Sequence, residues 1–295
     1  MDAISVAVRR GSSVESRHRV HAVAVQDGRI IAAAGDPGLV TVFRSSAKPL
    51  QALPLACARA DLDAVDLAIA SASHQAEPAQ LDAVRALLAR APATEDDLEC
   101  GFDEGRPHER LYHNCSGKHA GFLALCRARG WETAGYRLPE HPLQAAVLAE
   151  VAAATGSKPE AIPQATDGCG VVTFALPLER MAAAFSRLPG LEGAAQVLGA
   201  MRAHPALVGG EGAIDTDLMR ALDGWTAKRG GEGLLCAVSP NGIGLVFKSE
   251  DGNPRPLRPA LARFFTLLGQ DLPSGFSYVE VVNSRGDNVG EVSAE

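Results

Sequence analysis

Apolar and polar positions alternate along the first 43 residues. Ile4–Arg9 is short and rich in β-formers, and Arg19–Gln26 alternates, with Val20, Ala22 and Ala24 interleaved. Asp27-Gly28 is a turn signal, and Arg29–Ala34 continues the ladder. A period of two on either side of an Asp-Gly pair predicts a β-hairpin. Thr41-Val42-Phe43 then runs straight into Arg44-Ser45-Ser46-Ala47-Lys48-Pro49, after which the chain is Ala/Leu-rich and helix-like to Arg59. Pro49 suits the first turn of such a helix.

Leu67–Ser73 is a buried apolar segment, read as a strand that ends at His74. Glu77-Pro78 opens a helix over Ala79–Ala91, and 92–112 reads as loop with a short strand. Helices are expected at His119–Arg129, His141–Thr155, Leu178–Arg187 and Leu191–Ala203, with a strand at Cys169–Leu176. Strands return at Leu234–Val238, Ile243–Lys248 and Tyr278–Val282, with a helix at Pro259–Leu268 between the last two. Strands at both ends and helices in the middle give an α+β class. An antiparallel sheet from about 1–43 and 234–290 packs on a mainly helical stretch of about 44–230, all in one catalytic domain over 1–295.

Composition narrows the function. Hydrophobic residues are 46% and charged residues 21%, enough apolar surface for a large core. The net charge of −7, with no Lys/Arg cluster, points away from nucleic acid. No apolar run approaches about 18 residues, and the N-terminus lacks the pattern of a signal peptide. Six cysteines are sparse for 295 residues, so reduced thiols in a cytoplasm are expected.

Two constellations carry chemistry. Ser45 and Lys48 are three apart, so on a helix they share a face, and the lysine amine reaches the hydroxyl. A serine needs such a base to become a nucleophile, and a helix N-terminus supplies N–H groups for an oxyanion. Arg44 beside them suits a carboxylate. Ser73, next to His74, has no lysine nearby in sequence; Lys248 at the end of an apolar strand is a spatial candidate. The second constellation is His113-Asn114-Cys115-Ser116-Gly117-Lys118-His119 with Asp167-Gly168-Cys169-Gly170. Cys57, Cys126 and Cys236 lie in apolar runs, whereas Cys115 and Cys169 lie in polar, glycine-bearing turns. Two such thiols could bind zinc with His113, Lys118 or His119 as third ligand, a histidine being the natural choice. A redox-sensitive pair and plain buried thiols compete with that reading.

Together, Phe43–Pro49, Ala72-Ser73-His74, the HNCSGKH and DGCG segments, and Val208-Gly209-Gly210 with Asp215-Thr216 resemble the Rhizobium etli-type L-asparaginases. That family is similar in fold to penicillin-binding proteins and serine β-lactamases. The resemblance implies hydrolysis of L-asparagine to L-aspartate and ammonia by two Ser–Lys tandems, Ser45 with Lys48 and Ser73 with Lys248. It implies zinc held by Cys115, Lys118 and Cys169, in place of a histidine. It puts Arg44, His74, Asn114, His119 and Asp167 around the substrate, and it implies a homodimer. The absence of an SDN motif, and Lys248-Ser249-Glu250 where KTG would stand, argue against β-lactam chemistry. Another serine amidase or peptidase, and a non-catalytic zinc or redox sensor, are the rival readings.

Overall fold

A computed structural model describes residues 1–295. Its strands are β1 (Ile4–Arg10), β2 (Ser13–Gln26), β3 (Arg29–Ala34), β4 (Val40–Val42), β5 (Gln164–Thr166), β6 (Val172–Pro177), β7 (Thr226–Arg229), β8 (Leu234–Val238), β9 (Gly244–Ser249), β10 (Tyr278–Val282) and β11 (Asn288–Ala294). Its helices are α1 (Lys48–Gln51), α2 (Leu53–Ala58), α3 (Ala64–Ala70), α4 (Pro78–Arg90), α5 (Ser116–Arg129), α6 (Pro142–Thr155), α7 (Leu178–Arg187), α8 (Ala194–Ala203), α9 (Pro205–Gly209), α10 (Ile214–Ala221) and α11 (Leu257–Leu267). The α+β architecture expected from the sequence is the one observed. The main sheet runs β10-β11-β1-β2-β9-β8-β7, antiparallel throughout, with β3 also paired to β2. A small sheet, β4-β6-β5, stands apart.

The long β2 organises the main sheet. Its outer half, Ser13–Val20, pairs with β1, and its inner half pairs with β9 on one edge and β3 on the other. The β2–β3 turn is the Asp27-Gly28 pair, with φ of 51° and 74°, the two left-handed residues of a type I′ hairpin. Gly244 and Phe247 are three apart on β9, so they face opposite sides of the sheet. A Cβ on Gly244 would lie 2.1 Å from Ala182 O of α7, while Phe247 meets Phe264 of α11 edge-on at 5.4 Å. Helices therefore cover both faces. Helix α7 buries Leu178, Met181, Ala182 and Phe185, a stripe of helical period, against β2 and β9.

Three segments differ from the sequence expectation. Leu67–Ser73 does not form a strand: Asp63 accepts from the N–H groups of Val65 and Asp66, and this capping box starts α3. The stretch 92–112 has only 3₁₀ turns at Glu95–Asp97 and Arg110–Tyr112. The short edge strand β7 and helices α9 and α10 were not anticipated. No helix is long and apolar enough to cross a membrane.

Candidate active site

A cavity of about 450 Å³ opens where the 44–47 turn, the ends of α3 and β7, and the turns at Cys115 and Cys169 meet. Only three of its 19 lining residues are hydrophobic, so its occupant is polar. Arg44–Ala47 forms a 3₁₀ turn leading into α1 and α2. Arg44, which starts it, has φ of +49°, a strained value for a non-glycine residue. Its N–H donates to Thr173 Oγ1 at 3.1 Å, and its guanidinium pairs with Asp167. Ser45 lines the cavity, and its hydroxyl makes no hydrogen bond within the protein. Lys48, fully buried, does not bond Ser45. It donates to Ser73 Oγ at 2.9 Å, to Ala72 O and to Cys115 Sγ at 3.2 Å. The structure thus brings Ser45, Lys48 and Ser73 together, with Lys48 spent on the second serine.

With this geometry in hand, the sequence profile described as L-asparaginase II matches residues 6–294. The chain belongs to the L-asparaginase II family. At family level that makes it an asparaginase-type amidohydrolase acting on a small amide. No protein of curated function matches the sequence. Three solved structures are distantly similar. Mglu is 15% identical, with 87% of this chain and 68% of that one covered and a TM-score of 0.47. A beta-lactamase from Mycobacterium bovis is 16% identical, with coverage of 79% and 88% and a TM-score of 0.35. SurE with D-Leu is 13% identical, with coverage of 94% and 82% and a TM-score of 0.40.

The cavity of this L-asparaginase II family member is charge-matched. Arg44, Arg106 and Arg229 line it with Asp103, Asp167 and Glu232. Burial pushes the Asp167 carboxyl upward, but Lys118 and Arg44 outweigh burial and hold it below the ordinary value. His74 lines the cavity as a neutral ring. Burial, then Lys48 and Arg106, lower its pKa to about 3. Its Nδ1 accepts from Ala76 N–H, so Nε2–H donates to Ser116 Oγ at 2.8 Å. Asn114 also lines the cavity, and its N–H donates to Asp103. His119 does not line it. It packs under α5 with Nδ1 bonded to Tyr136 Oη at 2.6 Å, a neutral core histidine.

Lys248 is not brought to Ser73. It lies on β9 opposite His21 and Leu234, bonds Ser249 O, and is absent from the cavity wall. The buried lysine beside Lys48 is Lys228 of β7, which the sequence reading missed. Burial is the main cause that lowers its pKa to about 7, with the charge of Lys48 adding to it against Asp215. Asp215, fully buried, accepts from Lys228 Nζ at 3.3 Å and from Arg229 N–H at 3.1 Å. The Asp215-Thr216 segment already stood out in the sequence, but a four-residue Thr-Ala-Lys-Arg strand carries too little pattern to reveal its partner. Beyond β7, Gly230 and Gly231 let the chain pass close: a Cβ on Gly231 would sit 3.0 Å from Arg44 Cζ.

The implied zinc does not fit this protein. Nowhere do three side chains among His, Cys, Asp and Glu converge to hold a metal ion. Cys115 Sγ accepts from Lys48 at 3.2 Å and donates to Asn114 Oδ1 at 2.9 Å, and Lys118 donates to Cys169 Sγ at 3.0 Å. Burial works to lower the Lys118 pKa, but Cys169, Cys115 and Asp167 outweigh it and raise it. An ammonium has no lone pair to give a metal. Assignment of Cys115, Lys118 and Cys169 as zinc ligands is therefore corrected. They form a thiol–thiolate–ammonium cluster. A hydrogen bond from Cys115, with Lys118 helping against burial, lowers Cys169 to about 5, and the same bond raises Cys115.

Proposed function

We propose that the chain is an L-asparaginase of the Rhizobium etli type, with 1–295 acting as one catalytic unit that converts L-asparagine to L-aspartate and ammonia. The observation that carries this reading is the free Ser45 hydroxyl in a charge-matched cavity, one turn from a buried lysine bonded to Ser73. Three arginines and three carboxylates suit a zwitterion bearing one carboxylate and one ammonium. Ser45 is the nucleophile. Neither its N–H nor that of Gly231 is spent on a hydrogen bond, whereas Ser73 N–H is spent on Val208 O at 2.8 Å. The two free N–H groups are suited to an oxyanion, and one such donor is typically worth about 3–4 kcal/mol.

Ser45 Oγ attacks the side-chain amide carbon, and its proton passes by Ser73 and Lys48 to the leaving nitrogen. Ammonia departs, and water releases aspartate from the ester. Lys228 is a positioning residue, setting the charge behind Lys48. The test is ammonia release from L-asparagine by the purified chain. Ser45→Ala should lower turnover by about 10³-fold or more. Full turnover in Ser45→Ala would move the nucleophile to Ser73. Hydrolysis of nitrocefin or a D-Ala peptide, with none of asparagine, would sink the asparaginase reading. Light scattering of the same sample tests the homodimer.

A further inference from the structure

The carboxylates of the cavity wall are not equally engaged. Asp103 accepts from Asn114 N–H at 2.8 Å and pairs with Arg106 at 3.4 Å. Asp167 pairs with Arg44 and accepts from Gly168 N–H at 2.8 Å. Glu232 also lines the cavity, but its carboxylate makes no hydrogen bond or ion pair within the protein. Lys248 of β9 feels its charge, yet that amine donates to Ser249 O and no ion pair joins the two. The backbone beneath Glu232 is strained. Its φ is +57°, and glycines flank it on both sides. A third glycine would take that conformation freely, so the glutamate is held there against its preference, as residues at functional sites often are. The carboxylate also has a seat: a Cβ on Gly252, in the turn after β9, would collide with Glu232 Oε2.

Arg44 stands beside it. A Cβ on Gly231, the residue before Glu232, would sit 3.0 Å from Arg44 Cζ. Arg44 spends only its Nε–H on Asp167, which leaves both terminal nitrogens of the guanidinium open. An unpaired carboxylate and a half-free guanidinium therefore meet across one glycine, next to Ser45. An α-amino acid carries its ammonium and its carboxylate on one carbon, and charge-assisted hydrogen bonds to such a pair are strong and directional. We propose that Glu232 binds the substrate's α-ammonium while Arg44 takes the α-carboxylate, so that the site selects an amide of an α-amino acid over the same amide without the amine. This rests on the asparaginase reading and names the residue that gives it selectivity. With the α-carbon held at Arg44 and Glu232, the side-chain amide is directed toward the Ser45 hydroxyl. A substrate with no ammonium gains nothing from Glu232, which then stays solvated.

The test compares L-asparagine with succinamate, which has the same amide and carboxylate but no amine, on the full chain and on Glu232→Gln. Ammonia release gives kcat/KM for each. Glu232→Gln should lower kcat/KM for L-asparagine by about 10- to 100-fold, the share of one hydrogen bond to a charged group, and leave succinamate within about 3-fold. Glu232→Asp, which keeps the charge, should recover part of the loss. An equal fall on both substrates would make Glu232 a structural support, and no fall on either would make it a solvated surface group; both results overturn the proposal. Calorimetric binding of L-aspartate against succinate reads the same subsite without turnover. If the unaltered chain releases no ammonia from L-asparagine, the asparaginase reading fails. Glu232 is then judged by binding alone: a preference for L-aspartate that Glu232→Gln abolishes upholds the ammonium subsite, and equal binding of the two acids sinks it.

Discussion

Lys228 carries a proton balance that solution measurements can read. Its folded pKa of about 7 lies below the ordinary 10.5. Between those two pH values the unfolded chain binds more protons than the folded one, so stability rises with pH across that window. Below it the lysine is charged in both states, and the burial cost is present in full. Cys169 acts with the same sign lower down, because its folded value of about 5 lies below the usual 9.0. Chemical-denaturation midpoints should therefore climb from pH 5 to 10, and Lys228→Met should flatten the upper part of the climb. The same lysine should shape kcat/KM, which is expected to rise through about pH 7 and to lose that limb in Lys228→Met. A rate limb unchanged by Lys228→Met would show that the lysine does not tune the site. At this scale the sequence was partly readable. Arg44, Ser45, Lys48, Ser73 and Asp167 announced themselves by local motif, because adjacent chemistry is visible in one dimension. Lys228 did not, since its meaning comes from Asp215 and Lys48, which only the fold brings near.

Helix α5 and helix α3 meet at a glycine. A Cβ on Gly117 would lie 2.2 Å from Ile69 O, so the two backbones touch where the helices cross. Gly117 sits between Cys115 and Lys118, and Ile69 stands four residues before Ser73, so this contact sets the spacing of both constellations. Gly117→Ala should cost about 1–3 kcal/mol through forced separation. A thermal melt should show a fall of a few degrees, and asparagine turnover should fall with it. An unchanged melt would mean that the helices part freely. Helices α4 and α7 were legible because their apolar residues recur at helical period, and α6 because Pro142 opens a long Ala-rich run of helix formers. Helix α3 was not, because its seven residues are too few for a period to declare itself and the apolar run alone suits a strand as well.

One apolar core of 83 residues spans the sheet and the helices around it. The α+β class was readable because strand-like alternation at the two ends has only one partner available, the other end. The register supports this directly, with Val6 opposite Ala294 and Val8 opposite Val292. Strand β11 lies between β10 and β1, so a chain ending at residue 287 would leave β10 without a neighbour and β1 with one open edge. That truncation should produce aggregated protein, measured as loss of the soluble fraction and of a cooperative melt. A soluble, cooperatively melting 1–287 chain would show that the sheet closes without it.

The β1–β11 pairing also fixes when the protein can become itself. During synthesis β1 leaves the ribosome long before its partner β11, which starts at Asn288. At about 5–20 residues per second, the intervening chain leaves β1 waiting roughly 15–60 s for that partner. Its β2 hairpin can form early, since their pairing spans few residues, but the sheet cannot close until β11 has emerged. Lys228 likewise arrives after Ser45, Lys48 and Ser73 have all been made. The edge of β1 that β11 covers in the finished fold is therefore open to other chains throughout that interval.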